Sequence, residues 1–472
     1  MSRQCDISPP EVNQPRSVQS KGPSTQPGLV RGIRRWDFVA LIVNGTVGAG
    51  IFGLPAKIYA LTGAWSILAY LVCAVLCALI ILCFAEVGSR FAETGGPYLY
   101  ARVTFGSLIG FEVGWLLWLA RLTAFAALCN LLLGYLSFFW PAAGSGWTRA
   151  LVITAIVVCL TTVNIIGVRE AALVSNLFTI SKLAPLLLFV VAGSFFISSQ
   201  PFTAPAPTNF GDFSRAVLLL IFAFSGFEAA VIPAGEISDP RRHIAFALLT
   251  AMGVVALLYL MIQAVCIGTL PGLANSERPL VDASVGFLGA TGASILSVGA
   301  LISVSGTLSL AMLGGPRILF AMAEQGQLPK LLAATHHRFH TPHVAILISA
   351  TAMLVLTLQG TFMSALTIST VIRLLSYVAT CISLPVLRLR SDAPSARFRA
   401  PAGIAVAVAA TLLSLWLLSN SPSHDAIAVG LAAALGLLIF LFQGKLQRAD
   451  PYGAPFMSNS EKHERSVGNE SV

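Results

Sequence analysis

The chain has 472 residues, of which 56% are hydrophobic and only 10% are charged, and its formal net charge is +9. In soluble globular domains about a quarter of all residues are charged, so this composition excludes a soluble protein. The mean hydropathy is +0.81, and apolar runs of about 20 residues, each able to cross a bilayer core of roughly 30 Å, predict an all-α integral membrane protein. The basic residues are scattered over tails and loops, which argues against a nucleic-acid-binding patch.

Two polar tails flank a single membrane domain. Residues 1–35 and 446–472 lack an apolar core and are predicted to be disordered cytoplasmic tails. Residues 36–445 hold the apolar runs, which predict about 12 transmembrane helices. In chain order the predicted spans are 37–62, 64–86, 107–137, 148–168, 174–198, 215–237, 244–270, 287–323, 344–360, 362–388, 400–419 and 425–443.

The distribution of Lys and Arg predicts the orientation of the chain. With both termini on one side, the tails and loops of that side carry 21 basic residues, and the opposite side carries only Arg149, Arg215 and Arg278. Cytoplasmic loops of membrane proteins are enriched in Lys and Arg, so both termini are expected in the cytoplasm. The predicted location is the inner or plasma membrane.

The first predicted span is interrupted in its middle. Residues 48–55, with the sequence GAGIFGLP, place three glycines and a proline where a continuous helix would cross the lipid. Backbone groups freed by such a break are tolerated only where they line a cavity or are buried in protein. The pattern therefore predicts an unwound stretch that faces a binding site.

A second interruption, Ser225-Gly226, falls in the sixth predicted span. Broken helices at corresponding places of two halves point to the central site of a transporter. The first and sixth spans are each followed by an ordinary helix and then by a long one, for which a strong tilt is expected. The placement of the breaks suggests an inverted repeat of five plus five helices with two extra C-terminal helices.

The free ends of a broken helix suit a small zwitterion. N–H groups at the start of the second half attract a carboxylate, and carbonyls at the end of the first half attract an ammonium. The glycines near position 48 leave the backbone bare enough for an α-amino acid to approach. The alternative is a packing motif, because small residues also let helices approach closely. Pro55 and the second break favour a site.

Several motifs occur together with the two breaks: Ala85-Glu86, TGGPYLY at 94–100, FAFSGFE at 222–228, PAGE at 233–236 and DPRR at 239–242. With GAGIFGLP, this combination resembles the amino acid–polyamine–organocation superfamily of permeases. The resemblance covers roughly residues 30–445. It implies a leucine-transporter-like fold that works by alternating access.

The resemblance also implies a set of substrate-binding residues. The substrate carboxylate is expected at amides that match Ala49, Gly50 and Ile51, beside Gly48. The ammonium is expected at carbonyls that match Thr46, Phe222, Ala223 and Ser225, beside Gly226. Phe222 matches the position of a gate that closes over the bound substrate.

Six ionisable residues are predicted within the lipid, where charges are costly and usually functional: Lys57, Glu112, Arg121, Lys182, Glu228 and Arg373. By the resemblance, Lys182 matches a lysine that replaces a sodium ion, and Glu228 matches a glutamate implicated in proton movement. These two are the predicted coupling residues. The alternative is a permanent ion pair of Glu228 with Arg121 or Lys182. Lys57 and Glu112 are expected to extend toward water from helix ends.

The motifs of metal-dependent catalysis and ATP binding are missing from the sequence. There is no His-Glu-x-x-His pattern and no phosphate-binding loop. All seven histidines are placed outside the predicted spans. The eight cysteines are interpreted as small buried hydrophobes. We therefore expect no enzyme activity, no cofactor and no bound metal.

The predicted function is sodium-independent secondary active transport of amino acids, by proton-coupled symport or by exchange. An amino-acid/polyamine antiporter and an amino-acid sensor without net transport are the alternatives. Phe222, Phe224 and Phe227 favour a neutral or aromatic substrate, whereas Glu228 would favour a cationic one if it faced the pocket. The sequence does not choose between these substrates.

Overall fold

A computed structural model describes residues 35–91, 96–166, 171–198, 209–230 and 240–449, without the side chains of 171–180, 229–230, 240–242 and 444–449. Every regular element in these ranges is helical. The α-helices are α1 (Arg35–Thr46), α2 (Ala49–Gly53), α3 (Pro55–Thr62), α4 (Ser66–Gly88), α5 (Pro97–Phe105), α6 (Ser107–Leu136), α7 (Gly146–Ile166), α8 (Ala171–Ser194), α9 (Phe210–Phe224), α10 (Phe227–Ala230), α11 (Pro240–Thr269), α12 (Pro279–Glu324), α13 (His343–Gln359), α14 (Phe362–Leu389), α15 (Gly403–Ser419) and α16 (Ser423–Ala449).

The helices confirm the class of an all-α, multi-pass membrane protein. In the described part of the chain, eight helical segments are long and apolar enough to cross a bilayer. Shorter apolar helices cover Ser181–Ser194, His343–Gln359 and Gly403–Ser419. Residues 92–95 and 231–239, which contain parts of the motifs, lie outside the described residues. So do both predicted tails, except for Arg35 at the start of α1 and the last turn of α16.

The first span is broken between α1 and α2. The N–H of Val47 still donates to the carbonyl of Val43 at 2.8 Å, and Gly48 then leaves the helical region with φ −137° and ψ −145°. The helix resumes at Ala49 and continues into α3, where Pro55 takes the first position and needs no N–H. The predicted break near residue 48 is confirmed.

The sixth span is broken between α9 and α10. Ser225 is extended, and Gly226 has a φ of +115°, which only glycine adopts without strain. The described part of the span ends at Ala230, so the remainder of the predicted span 215–237 lies outside the described residues. The predicted break at Ser225-Gly226 is confirmed.

Two long helices flank the broken ones. The third predicted span, 107–137, corresponds to α6, which packs against α12 and α14. The eighth predicted span, 287–323, corresponds to the second part of α12, because a kink at Gly289 (φ 65°) divides that helix. The part of α12 before this kink, which begins at Pro279, was not predicted from the hydropathy pattern as a separate helix.

Candidate functional site

The two breaks meet inside the helix bundle. A Cβ placed on Gly226 would lie 2.3 Å from the carbonyl oxygen of Gly45, and one placed on Gly50 would lie 2.4 Å from the Cα of Ala223. Contacts this short between backbones are open only to glycine. The sequence therefore allows the two unwound stretches to touch.

A buried tyrosine of α11 ties the two breaks together. The hydroxyl of Tyr259 lies 3.1 Å from the carbonyl oxygen of Thr46 and 3.2 Å from that of Ala223. One hydroxyl group has a single proton, so the tyrosine shares it between two carbonyls, one from each break. Tyr259 is fully buried and holds the breaks at a defined separation.

A cavity lies where the breaks meet. Seven of the predicted substrate-binding residues line it: Thr46, Gly48, Ala49, Gly50, Phe222, Ser225 and Gly226. Ile51 and Ala223 lie behind the wall, with 0% and 1% of their surface exposed. The remaining wall comes from Gly45 of α1 and from residues of α6, α12 and α14: Arg121, Ala124, Leu128, Thr307, Leu310, Ala311 and Arg373. A role in substrate binding stays a prediction for each of these residues.

The backbone at the cavity offers both donors and acceptors. Helix α2 begins at Ala49, and its cap residue, Gly48, supplies no side-chain acceptor for the first N–H groups. The carbonyl of Phe222 accepts both the hydroxyl of Ser225 at 2.8 Å and the N–H of Ser225 at 3.3 Å. The start of α2 can therefore receive an anionic group, and the negative dipole ends of α1 and α9 favour a positive group nearby.

Lys182 of α8 is fully buried beside the first break. Its ammonium donates to the carbonyl of Asn44 at 2.9 Å and to that of Val47 at 3.0 Å. Asn44 is in the last turn of α1 and Val47 directly follows the helix, so both carbonyls lie at its C-terminal end, where the helix dipole is negative. An ammonium here compensates backbone acceptors as a bound cation would.

Glu228, in the first turn of α10, is 1% exposed. Its Oε2 accepts the N–H of Gly226 at 2.8 Å and the hydroxyl of Tyr377 at 3.0 Å. Its Oε1 contacts the guanidinium of Arg373 directly. A nitrogen of Arg121 lies 3.8 Å from the same oxygen, within ion-pair range but beyond hydrogen-bond distance.

This geometry decides between the ion pairs that the sequence left open. Glu228 pairs with Arg121 only loosely and does not pair with Lys182, whose donors go to the end of α1. Its direct partner is Arg373, which the sequence singled out only as an intramembrane charge. The spacing of Ser369, Arg373 and Tyr377 at four-residue intervals places the three on one face of α14, and this spacing was the available signal.

Five further residues that the sequence analysis considered lie outside the cavity. Glu112 does not extend toward water: both of its carboxylate oxygens are buried and lack a hydrogen-bond partner among the described residues, because α16 covers this part of α6. Lys57 is half-buried in α3. His243, His343 and His424 lie in the first turns of α11, α13 and α16.

Of the three phenylalanines that the sequence predicted as an apolar wall, one lines the cavity. Phe222 lines it, but Phe224 packs against Tyr259, and Phe227 packs against Phe84 and Tyr377. The rings of Phe224 and Phe227 are therefore part of the buried core and do not line the cavity.

Residues 33–442 match the sequence profile described as amino acid permease. The chain belongs to this family. The permease is 26% identical over 452 residues to a methylthioribose transporter of Bacillus subtilis, which covers 91% of this chain and 96% of the relative. It is 28% identical over 421 residues to the serine/threonine exchanger SteT of the same organism, an alignment that covers 87% of this chain and 95% of the exchanger. It is 25% identical over 443 residues to the branched-chain amino acid permease BcaP, also of Bacillus subtilis, an alignment that covers 89% of this chain and 95% of that permease.

Membership confirms the resemblance that the motifs indicated. The permease is a multi-pass membrane transporter of the amino acid–polyamine–organocation superfamily and not an enzyme. The family implies an amino acid as the substrate and the fold of this superfamily.

Proposed function

We propose that the permease is a secondary active transporter that carries amino acids across the inner or plasma membrane by alternating access. Its twelve spans would form a leucine-transporter-like inverted repeat of five plus five helices with two extra C-terminal helices, and both termini would face the cytoplasm. The single observation that carries the proposal is the contact of two unwound stretches around a cavity. The names of two relatives, a serine/threonine exchanger and a branched-chain amino acid permease, support an amino acid as the substrate.

We also propose that transport does not need sodium. Lys182 donates to the two carbonyls at the end of α1 and so occupies the place where a cation would neutralise them. The driving force would be a proton gradient or exchange, with Lys182 and Glu228 as the coupling residues. Glu228 contacts the break, Tyr377 and Arg373 at once, so a change in its charge would reach two helices.

Counterflow in liposomes tests this function. The purified full chain is reconstituted in sodium-free buffer, the liposomes are loaded with a mixture of unlabelled amino acids, and the uptake of labelled serine, leucine, glutamate and lysine is measured separately. We expect rapid accumulation of at least one label without sodium. A strict sodium requirement would contradict sodium independence. Binding without flux would indicate a sensor instead of a transporter.

A further inference from the structure

The positive charge at the cavity exceeds the negative charge. Among the described residues, Arg121 and Arg373 line the cavity, and Glu228 at its edge is the only acidic group in contact with them. Lys182 adds a third positive charge behind α1, but that charge is directed into the carbonyls at the end of the helix. Within the described part of the chain, two guanidinium groups therefore share one carboxylate.

Arg121 is the residue with the unmet charge. Glu228 already has three closer partners: Gly226 and Tyr377 donate to Oε2, and Arg373 contacts Oε1. The nitrogen of Arg121 stays 3.8 Å away, and no described residue accepts a hydrogen bond from its guanidinium. Arg121 is nevertheless only 9% exposed. A buried guanidinium without hydrogen-bond partners is costly, and a ligand carboxylate would satisfy it with paired N–H donors.

The position of Arg121 fits the side-chain end of a bound amino acid. The α-carboxylate and α-ammonium find their donors and acceptors at the breaks, on α2 and at the ends of α1 and α9. The rest of the wall belongs mainly to α6, α12 and α14, and the Cβ of Arg121 on α6 lies 3.6 Å from the position that a Cβ on Gly315 of α12 would take. A substrate held by its backbone groups at the breaks thus directs its side chain to the wall that carries Arg121.

We propose that the site selects amino acids whose side chain carries a carboxylate, as in glutamate or aspartate, and that Arg121 selects them. The inference rests on the proposed transport function. A lysine-like or polyamine substrate would bring a further positive charge beside two guanidinium groups and is disfavoured by repulsion. A neutral or aromatic substrate would leave Arg121 with only its 3.8 Å contact to Glu228, in a cavity to which one phenylalanine contributes.

The comparison of acids with their amides tests the inference on the unmodified protein. In sodium-free counterflow at neutral pH, glutamate and aspartate should compete for the site with an apparent affinity at least tenfold higher than glutamine and asparagine, which have the same shape without the charge. Exchange of neutral amino acids with no preference for the acids would overturn the inference and leave the proposed transport intact. Exchange of no amino acid at all would overturn both.

Substitution assigns the selectivity to Arg121. Arg121→Gln should lower the apparent affinity for the preferred acid at least tenfold and bring the acid-to-amide ratio near one, while Arg121→Lys should keep part of the preference because it keeps the charge. Arg317→Gln is the matched control, since Arg317 is exposed on α12 and does not line the cavity. A full acid preference in folded Arg121→Gln protein would show that Arg121 serves only to balance Glu228. If Arg121→Gln does not fold, the acid-to-amide ratio of apparent affinities in the unmodified protein still decides the substrate class.

Discussion

At the scale of single residues, the intramembrane charges have separate tasks. Lys182 neutralises backbone acceptors at the end of α1, Glu228 joins the second break to α14, and Arg121 faces the cavity with donors to spare. Arg373 contacts Glu228 and keeps that carboxylate at the break. Charges are costly to bury in a membrane, and Lys182, Glu228 and Arg373 each have close partners, whereas Arg121 has only its 3.8 Å contact with Glu228.

The role of Lys182 can be tested by removing its charge. Lys182→Met should reduce sodium-free counterflow at least tenfold and lower the free energy of unfolding by about 1–3 kcal/mol, because two carbonyls at the end of α1 lose their donor. Counterflow is measured with and without sodium, and stability by thermal unfolding in detergent. Lys57→Met is the control, since Lys57 does not line the cavity. Wild-type transport by Lys182→Met without sodium would remove the proposed role.

At the scale of the helix elements, glycine permits the contact that creates the cavity. Gly50 and Gly226 lie where any side chain would overlap the backbone of the facing break. Gly226 additionally needs its positive φ to turn the chain from α9 into α10. Helix breaks in lipid persist because the freed groups find partners such as Tyr259, Lys182 and Glu228.

Gly50→Ala should separate the two breaks. Its new methyl group would lie 2.4 Å from the Cα of Ala223, which is backbone and cannot move aside cheaply. We expect a loss of about 1–3 kcal/mol in the free energy of unfolding and little remaining counterflow. Gly314→Ala in α12 is the control, because a Cβ there meets nothing within 4 Å. Equal unfolding temperatures for the two variants would contradict the tight contact between the breaks.

At the scale of the whole molecule, a buried carboxylate joins helix ends that are far apart in the chain. Glu86 near the end of α4 accepts two hydrogen bonds from Arg388 of α14, at 2.7 and 2.6 Å, and a third from the N–H of Ala400 at 2.8 Å. Ser89 and Arg90 add bonds to the carbonyls of Phe398 and Pro394 in the same segment. This cluster fixes the connection between α14 and α15 against α4.

Glu86→Gln should therefore destabilise the whole fold. The substitution leaves Arg388 without its counter-charge, but this arginine is 24% exposed at its side chain, so we expect a loss of about 2 kcal/mol. Asp392→Asn is the control. The side chain of Asp392 is 74% exposed in its pair with Arg390, so this substitution should lower the free energy of unfolding by less than about 0.5 kcal/mol. Thermal unfolding measures both. Similar losses for both variants would contradict a structural role of the buried cluster.

The amino-acid sequence by itself determined the class, most spans and the two breaks. Hydrocarbon forces every spanning segment into a long apolar helix, so hydropathy alone located α6 and α14 to within one residue at either end. Glycine and proline act locally on the backbone, and for that reason the interruptions near 48 and 225 were visible in the sequence. The family motifs then pointed to the same two places.

Only the tertiary structure decided which side chains meet at the breaks. Arg373 and Glu228 are 145 positions apart, and Tyr259 reaches a carbonyl 213 positions away, so no local pattern contains either contact. The directions of Phe224 and Phe227 likewise depend on how α9 and α10 turn against α4, α11 and α14. The physical reason is that a helical pattern specifies which face is apolar, whereas the partner of a buried charge is set by the packing of several helices at once.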